Sequence, residues 1–198
     1  MNTQDTESRY NQIIRKSANL FRIKGFPATS IRDIGDSMGL TSAALYYHFK
    51  NKDEVLLGIM EQGLEVVTGA VQEAVDRESD VISKLRAAVR AHIQMSLEHQ
   101  DYAAVLLQDV RHLSEASRET VVAKRDAYEA IWTNLLSTAA SKGILRTDLD
   151  LHLLRLMIFG TLNLVTNWYR PEGEYNPQQI ADTYFDYIFH GITEAHHA

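Results

Sequence analysis

Tyr46, Tyr47 and His48 stand in a row, and Lys50 and Lys52 follow within four residues. Two phenols, an imidazole and two ammonium groups make a dense set of hydrogen-bond donors. The chemistry they suit is contact with phosphate oxygens, which accept from all three donor types. Three consecutive residues on a helix cannot all turn inward, so part of this cluster must face solvent. Just upstream, Ser42 and Ala43, with Ala44 beside them, are small enough to let a helix approach the edges of bases. A serine hydroxyl bonds to several bases, and an alanine methyl can meet the methyl of thymine. Arg32 supplies the fork that suits guanine O6 and N7.

Catalytic chemistry finds no comparable support. The chain has no cysteine, which excludes a thiol nucleophile, a disulfide framework and cysteine–zinc sites and fits a reducing compartment. Nucleophile-elbow, phosphate-loop and dinucleotide patterns are missing. His92, His99 and His112, with Glu98, Asp101 and Asp109 nearby, fall on neighbouring predicted helices but lack the duplicated Glu-x-x-His pairs of a di-iron bundle. Glu194, His196 and His197 lie in a terminal tail. A helical-bundle metal enzyme is therefore the rival reading set aside: no catalytic residue, metal ligand or cofactor is expected. The polar first residues do not form a signal peptide. The most apolar run, 151–165, is interrupted by His152, Arg155 and Asn163 and is too short to span a bilayer. A cytoplasmic protein without membrane contact is expected.

The net charge of −6 argues at first against a nucleic-acid partner. By segment the balance differs. Residues 1–53 hold 8 Lys and Arg against 5 acids, or +3, and the remaining 12 basic and 21 acidic residues give −9. A mildly basic head precedes an acidic body.

The elements that would position these groups are helices throughout. Apolar residues at Tyr10, Ile13, Ile14, Ala18 and Phe21 predict a helix over 7–24, stopped by Gly25 and Pro27. Ser30 with Asp33 forms an acidic capping box for a second helix ending near Met38. Gly39 supplies a left-handed turn, Leu40 an apolar plug, and Thr41 or Ser42 the cap of a third, very short helix ending near His48. Leu45 and Phe49 should face inward and hold that helix in place. Longer helices are predicted over 52–77, 81–99, 102–113 and 115–142, with Gly143 as a stop. Gly58, Gly63 and Gly69 within 52–77 predict close packing, in preference to a helix that bends between the domains. Asp148 or Asp150 should cap a helix running to 169. Asn176, Pro177 and Gln179 should open the last helix, over 177–190. The fold class is all-α, with about nine helices. The domains are a helix-turn-helix domain over 1–53, its motif about 30–49, and a larger helical domain over 54–198. The broad apolar stripes of the last two helices predict an intersubunit bundle and a homodimer.

The stretch TSIRDIGDSMGLTSAALYYHFKNKDEVLLGIM, and ALYYHFKNKDEVL within it, resembles the N-terminal domain of the TetR family of transcriptional repressors over about 8–60. The resemblance implies a homodimer whose N-terminal domains bind a palindromic operator in double-stranded DNA. Its C-terminal domains would take a small effector that releases the DNA. Matching positions carry over as Arg32, Ser42 and Ala43 for bases, and Thr41, Tyr46, Tyr47, His48 and Lys52 for the backbone. The segment FGTLNLVTNWYRPEGEYNPQQIADTYFDYIFHGI is similar to a branch regulating fatty-acid, steroid and aromatic-acid catabolism, several of whose members respond to acyl-CoA thioesters. The sequence departs from that branch at Leu164 and Asn167, where a basic or aromatic residue is expected.

The effector pocket is expected between the fourth and eighth helices, lined by Met95, Leu106, Gln108, Trp132, Phe159 and Asn163. A CoA thioester would need Arg111, Arg125, Arg155 or Arg170 at its phosphates. The alternative effector is an uncharged lipophilic molecule. A DNA-binding adaptor without an effector is disfavoured by size, since about 145 residues exceed what a dimer bundle requires.

Overall fold

Local capping chemistry sets the boundaries of the first elements. Ser8 accepts from the Asn11 N–H and opens α1 (Arg9–Lys24), which Gly25 closes at φ 82°. Ser30 accepts from the Asp33 N–H while the Asp33 carboxylate takes the Ser30 N–H, so the expected capping box begins α2 (Ile31–Met38). Gly39 turns the chain at φ 65°, and Thr41 caps α3 (Ser42–Tyr46) by accepting from Ala44.

The computed structural model describes residues 8–192. After α3 come α4 (Lys52–Asp76), α5 (Val81–Glu98) and α6 (Gln100–Gln108). A single 3-10 turn at Val110–His112 leads into α7 (Glu115–Ser141). The rest is α8 (Leu151–Asn163), the one-turn α9 (Val165–Trp168) and α10 (Pro177–Ile192). The fold is all-helical, as expected. The helix predicted to run unbroken to 169 is interrupted at Leu164, with α9 as its continuation. Asp150, rather than Asp148, caps α8, because Asp148 is engaged with Arg146. Asn176 and Gln179 cap α10 reciprocally. The expected start at Glu7 and the 194–197 tail lie outside the described residues.

The chain forms two compact units, one of 8–63 with 101–123, the other of 64–100 with 124–192. In the first, Ile13, Ile14, Ala18 and Phe21 of α1 are buried together with Ile34, Leu45, Phe49, Leu56, Ile59 and Met60. A Cβ on Gly58 would lie 2.6 Å from Ile14 Cδ1, and one on Gly63 2.9 Å from Leu106 Cδ1, so both glycines mark close helix packing. Gly69 has nothing within 4 Å and no such reason. Polar ties bind 101–123 into this unit. Asn19 and Arg22 both donate to Asp101. The Asp53 carboxylate accepts from the Ser114 N–H at 2.8 Å, the Ser114 hydroxyl at 3.0 Å and the Ser117 hydroxyl at 2.6 Å.

The turn between α2 and α3 has little room. A Cβ on Gly35 would meet the Leu40 carbonyl oxygen at 2.6 Å, and that oxygen is fixed backbone. Gly35→Ala is expected to cost about 1–3 kcal/mol through overpacking. For a chain of this size that lowers Tm by roughly 2–12 °C. A thermal melt followed by circular dichroism with an unchanged midpoint would refute this.

The second unit buries Val71, Leu85, Val89, Ile93, Trp132, Leu136, Ile158, Leu162, Phe185 and Phe189. α10 lies on α5 through Arg90, which grips Asp182 with two bonds of 2.6 and 2.9 Å. Arg86 reaches Asp186 at 2.8 Å with its guanidinium over the Phe185 ring. Leu153, Leu156 and Met157 on α8 and Tyr187 on α10 remain exposed.

Candidate functional site

Within the first unit, α3 is held from below by Leu45, 1% exposed, and Phe49, 3% exposed, which stacks on Tyr10 at 5.0 Å. Anchoring these two apolar positions turns their neighbours outward. Tyr46 is 54% and Tyr47 86% exposed, and His48 stands edge-on to Tyr47 at 5.2 Å. α3 ends at Tyr46, so Tyr47 and His48 form a turn instead of the last helical residues. Thr41 and Ala43 are exposed and Ser42 half-buried. Arg32 extends from α2, almost fully exposed, with only Asp36 at 3.6 Å as a partner. A surface pair of this kind adds little stability and leaves the guanidinium available.

A groove of about 560 Å³ runs between these elements. Arg32, Ser42, Tyr46, Lys50 and Lys52 line it, as do Thr29, Ser30 and Asn51, which sequence reasoning had not assigned to it. Ser30 caps α2, and Asn51 accepts from the Glu54 N–H at 2.9 Å at the start of α4, so both sit at helix ends where backbone N–H groups are exposed. Lys50 is 88% exposed and lies 3.5 Å from Glu54. Lys52 behaves differently. Its ammonium donates to the carbonyls of Phe26 and Thr29, both at 2.7 Å, and lies 4.2 Å over the Phe26 ring. Partial burial pushes its pKa down, with Asp33 acting against this. The side chain expected to meet phosphate also clamps the α1–α2 loop, whose carbonyls lie outside the helices. Asp33 is held well below the usual carboxylate range, first by the Ser30 hydroxyl, then by the Ser30 N–H and Lys24.

In the second unit the structure brings together three of the six residues expected around an effector: Trp132, Phe159 and Asn163. His92 and Tyr128 join them. The Tyr128 hydroxyl lies 2.5 Å from His92 Nδ1, and Asn163 Oδ1 lies 3.2 Å from Nε2. Because the amide oxygen can only accept, Nε2 carries the proton and donates to Asn163, and Tyr128 donates to Nδ1. Burial lowers the His92 pKa to about 4, with Asn163 working in the other direction. Burial also pushes the Tyr128 phenol up. The imidazole is a neutral link between two helices. Phe159 closes the group, its ring 5.5–6.1 Å from those of Trp132, Tyr128 and His92. Met95 belongs to this unit and is half-buried, whereas Leu106 and the exposed Gln108 belong to the first unit. Tyr128 and the His92 pairing escape sequence reasoning because they join residues 36 apart. Among the described residues no group of three His, Cys, Asp or Glu is placed to hold a metal ion.

The arginines expected at an effector's phosphates are largely engaged. Arg125 and Arg155 share Glu129 at 3.7 and 3.3 Å, and Arg170 donates to the Tyr169 carbonyl. Arg111 is exposed in the first unit.

A short exposed helix behind a left-handed glycine, set on α2 beside a basic groove, defines a helix-turn-helix DNA-binding protein. The chain belongs to the tetR family of bacterial regulatory proteins: residues 13–59 match its family model, and 78–192 match the tetracyclin repressor-like C-terminal domain. It is similar to the HTH-type transcriptional repressor KstR2 of Mycolicibacterium smegmatis, 29% identical over 95% of this chain and 92% of the relative. The structure of the ketosteroid transcriptional regulator KstR2 of Mycobacterium tuberculosis superposes with a TM-score of 0.86 at 25% identity, covering 96% of this chain and 97% of that one. AibR in complex with isovaleryl coenzyme A and operator DNA gives 0.84 at 24% identity, covering 92% and 98%. No helix among the described residues is long and apolar enough to cross a membrane.

Proposed function

We propose that this regulator is a cytoplasmic homodimeric repressor that binds a palindromic operator and releases it when a small hydrophobic effector, an acyl-CoA thioester, occupies the second unit. The observation that carries the DNA-binding part is the exposed edge of α3 with Arg32 and the groove beside it. Ser42, Ala43 and Arg32 would meet bases. Thr41, Tyr46, Tyr47, His48 and Lys50 would meet phosphates. Lys52 would act through the loop it clamps as well as through its charge. Two α3 helices would enter successive major grooves roughly 34–36 Å apart. For the effector, the support is likeness to KstR2 and to AibR, whose complex contains a CoA thioester. The shared engagement of Arg125 and Arg155 by Glu129 favours a second reading, an uncharged lipophilic effector. Any effector must bind the DNA-incompetent state more tightly, or it shifts nothing.

Footprinting upstream of the protein's own gene tests the first part. Arg32→Ala is expected to cost about 1–3 kcal/mol on the operator and to relax one base position. Equal binding to operator and random DNA sinks the proposal. A thermal-shift series of acyl-CoAs against their free acids tests the second: stabilisation by thioesters only supports it. A shift by uncharged lipophiles alone transfers it to the second reading.

A further inference from the structure

Where the end of α4, the start of α5 and the last turns of α7 meet, the second unit holds a pocket of about 330 Å³. None of Trp132, Tyr128, His92, Phe159 or Asn163 lines it, so it is separate from the aromatic group. Its buried lining is apolar: Val75, Val81 and Leu135 are 4–7% exposed, and Ile131 is half-buried. Its exposed lining is polar and includes Asp76, Asn134 and Lys142, and Lys84 is half-buried. An apolar base with a few polar groups around it is the ordinary form of a small-molecule site, and the volume lies near the lower end for such sites.

The distribution of charge singles this pocket out. Elsewhere in the unit each lysine and arginine is engaged. Arg77 pairs with Glu73, Arg86 and Arg90 with Asp186 and Asp182, Lys124 with Glu65, Arg125 and Arg155 with Glu129, and Arg146 with Asp148. Arg170 donates to a carbonyl. Lys84 and Lys142 remain. Both line the pocket, and among the described residues neither ammonium has an ion pair or a hydrogen bond. Two unpaired cations stand together in the half of the chain where acids prevail, 21 against 12. The acids close by are already occupied. Asp76, the one carboxylate of the lining, accepts from Gln72 at 2.9 Å, and Asp80 is spent on the Ile82 and Ser83 N–H groups. Two ammonium groups against one carboxylate leave a single positive charge to be matched. That count suits a monoanion. A phosphate dianion would face Asp76 with charge to spare, and an uncharged lipophile would leave both lysines unmatched. A CoA ester brings several negative charges and more bulk than the pocket holds.

We infer that this pocket binds a small monocarboxylate, its carboxylate held by the Lys84 and Lys142 ammonium groups with the Asn134 amide beside them, and its apolar end on Val75, Val81 and Leu135. The site takes the free acid and is additional to any site for an acyl-CoA, so it stands whichever effector releases the operator.

The test uses the full-length protein and titration calorimetry with octanoate, benzoate and octanamide, the last keeping the shape of octanoate without its charge. Octanoate or benzoate is expected to bind, more weakly as salt is raised, and octanamide is not. A Lys84→Met, Lys142→Met double variant keeps apolar stems and removes both charges. It is expected to weaken the acid about tenfold to a hundredfold. A Lys84→Arg, Lys142→Arg variant should retain binding, and circular dichroism should show the same Tm for all three proteins without ligand. Equal binding of octanoate and octanamide overturns the inference, as does an acid affinity unchanged in the methionine variant. Failure of both acids to bind at millimolar concentration overturns it too, and leaves the acyl-CoA reading standing. That reading is tested apart from this one by repeating the thermal-shift series in the methionine variant, where a free-acid response through this pocket is removed.

Discussion

A Leu156→Glu, Tyr187→Glu double variant is expected to elute as a monomer and to lose about 10²–10⁴-fold in affinity for the proposed palindromic operator. The size of the loss follows from linkage. In a dimer the second half-site is engaged by a head already held nearby, at an effective concentration far above that of free protein. The surface that would hold two copies together is visible as apolar residues with no cover in the single chain. Leu153 is 61% exposed, Leu156 50%, Met157 48% and Tyr187 78%. Exposed apolar side chains of this size on α8 and α10 are characteristic of an interaction site. Tyr184 and Ile188, on the stripe that predicted dimerisation, are half-buried against the core of their own unit. Charges there would damage the fold, whereas charges at Leu156 and Tyr187 should spare it. Light scattering gives the mass, circular dichroism the helix content, and gel shift the affinity. A well-folded monomer that still binds the palindrome like the wild type refutes the argument, as does a variant that stays dimeric.

Acid is expected to destabilise the protein through His92 well before the carboxylates titrate. The folded imidazole stays neutral down to about pH 4, whereas in the unfolded chain it takes a proton near its ordinary 6.5. Between these values the unfolded state holds more protons, so stability falls as pH drops from 6.5. Above 6.5 the effect vanishes. By pH 5 it reaches about 2 kcal/mol and below pH 4 about 3 kcal/mol, at about 1.4 kcal/mol per pH unit. The groups facing His92 are Tyr128, Trp132, Phe159 and Asn163, none of which titrates in this range. Asp33, Asp53, Asp80, Asp148 and Asp182 have lowered pKa values, so what they contribute is lost only in stronger acid. Asp109, raised by burial, works the other way. His92→Gln keeps a donor and an acceptor in place without a titrating group. Urea unfolding of both proteins from pH 7.5 to 5 should show the wild type losing stability against the variant. Parallel curves would mean that His92 is not buried neutral.

What the sequence discloses is mainly local. The Ser30–Asp33 box, the Gly39 turn, the Thr41 cap and the Asn176–Gln179 cap each lie within four residues, and each forms as read. The inward placement of Leu45 and Phe49 follows from helical spacing alone. Long-range partners are another matter. Lys52 has a flexible stem that reaches solvent or loop equally well, and only the folded loop shows that carbonyls 23 and 26 residues away capture it. The Tyr128–His92–Asn163 series joins three helices and leaves no periodic trace. The break at Leu164 has neither a glycine nor a proline to announce it.

The first unit is written in two separated stretches of chain, and this bears on how such a regulator can be recombined. A transplant of 8–63 alone would carry Asp53 without Ser114 and Ser117, Asn19 and Arg22 without Asp101, and Gly63 without the Leu106 methyl that fills the space above it. The reading head is thus not a cassette that one crossover can exchange. A chimera that acquires another operator specificity by a single junction near residue 63 inherits a mismatched wall at 101–123. Grafting the exposed residues of α2 and α3 onto the resident scaffold keeps that wall intact.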